Sequence, residues 1–117
     1  MPQQIISSHF PYLPLKITVH GHPIDVEALL DTGFDGDIIV PHSLIGVTQP
    51  PDDYEPWVLA DGSRGEAPAY FGAVEVGMFG PFQVNIVALG NEVLIGRGIT
   101  DRFTITLDHG QRVIVEL

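Results

Sequence analysis

The chain has 117 residues, 44% apolar and 17% charged, a balance that suits one globular domain around one modest core and carries no signature of disorder. Its formal charge of −10 argues against nucleic acid, whose phosphates demand clustered cations, and its five basic residues, Lys16, Arg64, Arg97, Arg102 and Arg112, are scattered. There is no Cys, which excludes disulfides and thiolate-held metals, and no apolar run approaches the roughly 18 residues that carry a helix across a bilayer.

Thirteen glycines and ten prolines punctuate short runs rich in Val, Ile, Phe and Leu, so the expected fold is all-β, with many short strands and tight turns. Met1 to Ser8 has neither a basic n-region nor a long apolar stretch, so no signal peptide is visible and the expected location is cytoplasmic. Met1 to Pro14 holds three prolines and little periodicity, and reads as an arm outside the core. Leu15 to Val19 alternates apolar and polar, the period of a half-buried strand. Gly21-His22-Pro23 turns the chain, and Ile24 to Leu30 alternates again before becoming wholly apolar. Asp31 to Asp37 has the composition of a loop, and Ile38-Ile39-Val40 is a short buried strand stopped by Pro41.

Gln49 to Pro56, rich in Pro and Asp, reads as a surface loop. Trp57-Val58-Leu59, the turn signal Asp61-Gly62 and Ala69 to Val76 form a long hairpin. Gly77 to Pro81 is a turn, Phe82 to Leu89 a strand, and Val93-Leu94-Ile95-Gly96 a short apolar run meeting a glycine. One helical turn is expected at Ile99 to Arg102. Phe103 to Leu107 and Arg112 to Leu117 flank Asp108-His109-Gly110 as a closing hairpin. No linker or textual repeat divides residues 1–117, which make a single domain. Leu30-Asp31-Thr32-Gly33 and Leu94-Ile95-Gly96 nevertheless share an apolar run into glycine, a pattern that related half-domains can leave.

Ala28-Leu29-Leu30-Asp31-Thr32-Gly33 sets a carboxylate directly after an apolar strand. Burial there favours the neutral acid, and the carboxyl needs partners. The small hydroxyl of Thr32 and the open backbone N–H of Gly33 can supply them. Taken alone, Asp-Thr-Gly also makes an ordinary turn with an Asx hydrogen bond.

Other polar residues carry less. Of His9, His20, His22, His42 and His109, only His20 and His22 share a strand face in a way that suits zinc. A third ligand at useful spacing is missing, so the histidines read as solvated turn residues. Asp31, Asp35 and Asp37 miss the calcium-loop spacing, and no Glu closes it. Phosphate-loop and Ser-His-Asp patterns lack their surrounding motifs. Trp57, Tyr54 and Tyr70 read as packing around the base of the long hairpin. No metal or cofactor is called for.

The run Ala28-Leu29-Leu30-Asp31-Thr32-Gly33-Phe34-Asp35 closely resembles the catalytic segment of the retropepsins, the aspartic proteases of retroviruses and their bacterial relatives. A second mark of that family is an apolar pair followed by Gly and Arg late in the chain, met here by Leu94-Ile95-Gly96-Arg97. The spacing of the two marks, the glycine-bearing hairpin between them and the opening Pro14-Leu15 extend the resemblance from about Pro14 to Arg102. It implies a retropepsin-like acid protease fold, a closed or partly open β-barrel with a flap hairpin. It also implies an aspartic endopeptidase that acts on an extended peptide or protein as a homodimer, because each chain has a single Asp-Thr-Gly.

On that reading Asp31 is the catalytic carboxylate, Thr32 and Gly33 fix its loop, and the Thr32 hydroxyl bonds its counterpart across a two-fold axis. Phe34 and Asp35 belong to the substrate site, together with the flap tip Ala60-Asp61-Gly62-Ser63, whose backbone groups bond the peptide. Leu94-Ile95-Gly96 packs against the Asp31 loop, and Arg97 forms an ion pair with Asp35. The sequence departs from the family in three places. Phe34 stands where Ala or Ser is usual, which narrows the floor of a substrate pocket. The flap tip carries Asp61 and Arg64 rather than a run of glycines, which stiffens its closure. A hairpin stands at Phe103 to Leu117 where retropepsins have a single terminal strand that forms the dimer sheet. A silent binding or assembly module of the same fold is the alternative.

Overall fold

The computed structural model describes residues 3–45 and 50–117; Met1, Pro2 and residues 46–49, with the start of the loop expected from Gln49, lie outside them. The first half of the chain builds β1 (Gln4–Ser7), β2 (Tyr12–Val19), β3 (His22–Leu30), β4 (Ile38–Val40) and a one-turn helix α1 (His42–Ile45). The second half builds β5 (Asp53–Val58), β6 (Arg64–Val76), β7 (Phe79–Ala88), β8 (Leu94–Ile95), α2 (Arg97–Thr100), β9 (Thr104–Asp108) and β10 (Arg112–Glu116). The fold is all-β with short helical turns, as the composition implies.

Seven strands form one sheet in the order β2-β3-β8-β4-β7-β6-β5. A further pairing of β2 with β6, Lys16–Val19 against Gly72–Glu75, folds this sheet back on itself into a partly open barrel. Alternation along β2 explains its core face: Leu13, Leu15, Ile17 and Val19 are buried while Pro14 and Lys16 are exposed. They meet Ala28, Val74, Ile86 and Ile95 in the main core. β4 is buried along its whole length because it lies between β8 and β7, which is why Ile38-Ile39-Val40 does not alternate. The remaining strands form an antiparallel sheet, β1-β10-β9.

Several boundaries differ from the sequence reading for identifiable reasons. The expected arm is not outside the core: Gln4–Ser7 pairs with β10, and Leu13 is 1% exposed. A four-residue strand whose partner lies more than a hundred residues away leaves no periodic signal. The first hairpin turns at His20-Gly21 rather than at Gly21 to Pro23, with φ of 48° and 81°, the left-handed pair of a two-residue turn. From Asp53 onward the expected loop is strand β5, and its Pro56 is tolerated because β5 is the edge of the sheet. The turn after β6 is confined to Gly77-Met78, so β7 begins at Phe79. The helical turn expected at Ile99 to Arg102 begins at Arg97, where Gly96 serves as N-cap. The closing hairpin forms where expected, turning through His109 and Gly110 at φ of 53° and 68°.

Candidate active site

β3 delivers the chain to Asp31, and β4 takes it away after Asp37. Between these strands lies β8, parallel to β3 (Leu29 opposite Leu94, Leu30 opposite Ile95) and antiparallel to β4 (Ile38 opposite Ile95). The two apolar runs into glycine noted in the sequence are therefore neighbours. The loop between β3 and β4 is clamped to the β8–α2 segment through the backbone. The N–H of Asp31 donates to Ile95 O at 3.0 Å, Gly96 N–H to Asp37 O at 2.8 Å, Arg97 N–H to Phe34 O at 2.8 Å and Gly98 N–H to Gly36 O at 2.9 Å. Four such bonds fix both ends and the middle of one short loop.

Within the loop, Gly33 N–H donates to Asp31 Oδ1 at 3.0 Å and Phe34 N–H to Asp31 O at 3.2 Å. A Cβ on Gly33 would sit 3.3 Å from Asp31 Oδ1, so glycine lets the carboxylate lie close to the backbone. The apolar strand does not bury the carboxyl as the sequence suggested: Asp31 is half-buried, and Thr32 and Gly33 are exposed. Asp31 Oδ2 and the Thr32 hydroxyl have no hydrogen-bond partner among the described residues, so both are open to another molecule.

Phe34 anchors the loop from below. Its ring covers Gly36 and Gly96, where an added Cβ would come within 2.5 Å of it, and its centroid stands 6.2 Å from that of Trp57 on β5. Phe34 and Trp57 pack on Ile39, Ala67 and Val87, a second apolar cluster between the loop and the long β5–β6 hairpin. The expected ion pair of Arg97 with Asp35 is absent. Both side chains are exposed, and the late segment is held to the loop by backbone bonds instead. Asp37 carries a role the sequence reading missed: its Oδ2 accepts the Asn85 N–H of β7 at 2.8 Å. The signal was its place directly before a buried strand, the mirror of Asp31 after one.

β5 and β6 form the hairpin that carries Ala60, Asp61, Gly62 and Ser63 at its exposed tip. Leu59 N–H donates to Ser63 O at 2.8 Å and Gly62 N–H to Leu59 O at 2.9 Å. Asp61 Oδ1 accepts the Ser63 hydroxyl at 2.6 Å and the Ser63 N–H at 2.8 Å. These bonds, the hydroxyl first, hold the Asp61 carboxyl below the ordinary carboxylate range. The tip is thus ordered by its own side chains, and the N–H groups of Ala60 and Asp61 are left without a partner among the described residues.

The root of this hairpin is braced by a turn histidine whose ring is packed and bonded rather than solvated. His20 Nε2 lies 3.0 Å from Asp52 Oδ2, which also accepts the Phe71 N–H at 2.9 Å. The His20 ring meets Tyr70 edge-on at 5.7 Å, and its Nδ1 is buried with no partner among the described residues. The Phe71 N–H, then the His20 bond, lower the Asp52 carboxyl from its usual value. Tyr70 packs near the hairpin root as read from sequence, whereas Trp57 packs opposite Gly65 toward the tip and Tyr54 is exposed.

The crystal structure of a retropepsin-like aspartic protease from Rickettsia conorii matches this chain with a TM-score of 0.66, covering 99% of this chain and 92% of that one at 17% sequence identity. The chain has the retropepsin-like fold. Neither a protein-family profile nor a curated protein matches it. In this fold the chain brings together Asp31, Thr32, Gly33, Phe34, Gly96 and the Arg97 backbone in one clamped loop system. The flap-tip residues sit apart, on a hairpin tied to that loop through Trp57 and Phe34.

Proposed function

We propose that the chain is an aspartic endopeptidase that hydrolyses peptide bonds of an extended peptide or protein as a homodimer. The observation that carries this reading is the half-open Asp31 carboxyl on a loop held rigid by backbone bonds, with Oδ2 and the Thr32 hydroxyl both without a partner among the described residues. One carboxylate cannot both activate water and polarise the scissile carbonyl. Two copies related by a two-fold axis supply the second. Like charges at hydrogen-bond distance do not both ionise, so the two Asp31 carboxyls share one proton and titrate as a unit. The ionised member takes a proton from water while the neutral member hydrogen-bonds the carbonyl oxygen. The Thr32 hydroxyls meet across the axis and hold the carboxyls in place. The hairpin tip closes over the peptide, offering it the free N–H groups of Ala60 and Asp61, and the Phe34–Trp57 pair forms an aromatic floor beside the site.

Incubating a peptide library with the wild type and with Asp31→Asn, at acid and neutral pH, tests this. Cleavage by the wild type alone is expected. Cleavage by purified Asp31→Asn would place the chemistry elsewhere, and binding without cleavage by either form would move the chain to the silent binding module.

A further inference from the structure

Leu107 departs from the burial pattern of its own sheet. Register pairs it with Val113, and Ile105 with Val115, so all four side chains share one face. Val113 and Val115 are 0% exposed, yet Leu107 is 56% exposed because nothing in the described chain covers it. Leu107 borders a groove of about 370 Å³ that reaches the candidate catalytic loop. Phe10, Pro11, Leu30, Thr32 and Ile105 line it with Leu107, and no lining residue is charged.

Strand pairing narrows what can dock there. β10 is hydrogen-bonded on both sides within its own chain, to β1 and β9, so it cannot take a strand from elsewhere. The outer edge of β9 keeps its row of N–H and C=O groups free of strand partners among the described residues, and this strand lines one groove with Thr32. The charge at the end of this strand is already neutralised, Asp108 Oδ2 lying 2.7 Å from Arg112. Two chains of charge −10 repel, so they meet most favourably on a face without carboxylates.

We propose that a second copy of this chain docks on the β9 edge, pairing β9 antiparallel with its counterpart about a two-fold axis and covering Leu107 and Ile105. This rests on the dimeric protease reading, and the same axis brings the two Asp31 loops together. The dimer sheet is then made by an internal strand of the closing hairpin rather than by exchanged chain ends. Isologous pairing of this kind puts each Leu107 in the groove region of the partner subunit.

Sedimentation equilibrium of the wild type, of Leu107→Arg and of the control Met78→Arg on the β6–β7 turn tests it. The wild type is expected to be dimeric, Leu107→Arg to weaken the dimer by at least about a hundredfold, and Met78→Arg to leave it unchanged. Because the chain has no Cys, single substitutions Ile105→Cys, Thr106→Cys and Leu107→Cys add a second readout that does not depend on the arginine variant folding. At least one of them, the one nearest the axis, should form an interchain disulfide on mild oxidation. A wild type that is monomeric at high concentration overturns the proposal, as does a dimer that no β9 cysteine crosslinks and Leu107→Arg does not weaken. A β9 dimer that hydrolyses nothing would leave this interface standing and remove the protease reading, whereas hydrolysis by a dimer indifferent to β9 would do the reverse.

Discussion

Gly96 and Arg97 stand side by side in sequence but differ in what they hold. A Cβ on Gly96 would lie 2.8 Å from Phe34 O and nearer still to Gly36 O, backbone atoms that are themselves hydrogen-bonded to the next residues. Gly96→Ala is therefore expected to cost at least about 1–3 kcal/mol, through overpacking against a backbone that cannot yield. Arg97 is exposed and makes no ion pair with a described residue, so Arg97→Ala is expected to stay within about 0.5 kcal/mol. Thermal melts of the two variants check this, and equal losses would restore a role for the arginine side chain. Asp52 gives a prediction in pH. The Phe71 N–H and the His20 ring bond its ionised form, so its folded value lies below the ordinary 3.8. A depressed carboxylate contributes stability that is present above its unfolded value and lost as pH falls through the folded one. The melting temperature of the wild type should thus exceed that of Asp52→Ala most at about pH 5, and the gap should narrow toward about pH 3. A constant gap over that range would mean that the ionised carboxylate is not what braces the hairpin root.

Among the elements, the β5–β6 hairpin is the one whose motion the proposed function needs. The tip is exposed and held by local bonds alone, and such hairpin tips open at the lowest free-energy cost. The amides of Ala60 and Asp61 should gain protection from hydrogen exchange when a peptide-like inhibitor binds. Gly62 and Ser63, already bonded within the tip, should change less. Unchanged exchange at Ala60 and Asp61 with inhibitor bound would deny the hairpin its role as a cover. Elements were legible where local chemistry decides them. β4 is a wholly apolar run between Asp37 and Pro41, and the closing hairpin announces its turn with His109-Gly110. β5 was hidden because Asp and Pro signal loops, and only its edge position lets a strand carry them. β1 was hidden because its partner is β10, at the other end of the chain. The Asp31 loop was legible from its motif, but its braces were not. Asp37 finds Asn85 at a separation of 48 residues, His20 finds Asp52 at 32, and Phe34 finds Trp57 across the sheet. No spacing within one sequence encodes such pairs.

At the scale of the whole molecule, one chain supplies half of the proposed chemistry: a single Asp-Thr-Gly on a rigid loop, an uncharged groove beside it and a hairpin to cover it. If the reactive state holds one proton on two carboxyls, the rate should follow a bell-shaped pH curve with an acidic optimum, falling when both are protonated and again when both are ionised. A rate that is flat where carboxylates titrate would contradict the shared proton. The central claim is that each active site needs Asp31 from both subunits, and mixing subunits tests it most directly. Wild type and Asp31→Asn are combined in varying ratio at fixed total concentration, allowed to exchange, and assayed on a cleaved peptide. If both carboxyls are required, activity falls as the square of the wild-type fraction, to about one quarter at equal mixing. Activity that falls in simple proportion to the wild-type fraction, to about one half at equal mixing, would show that a single Asp31 suffices and would contradict the dyad.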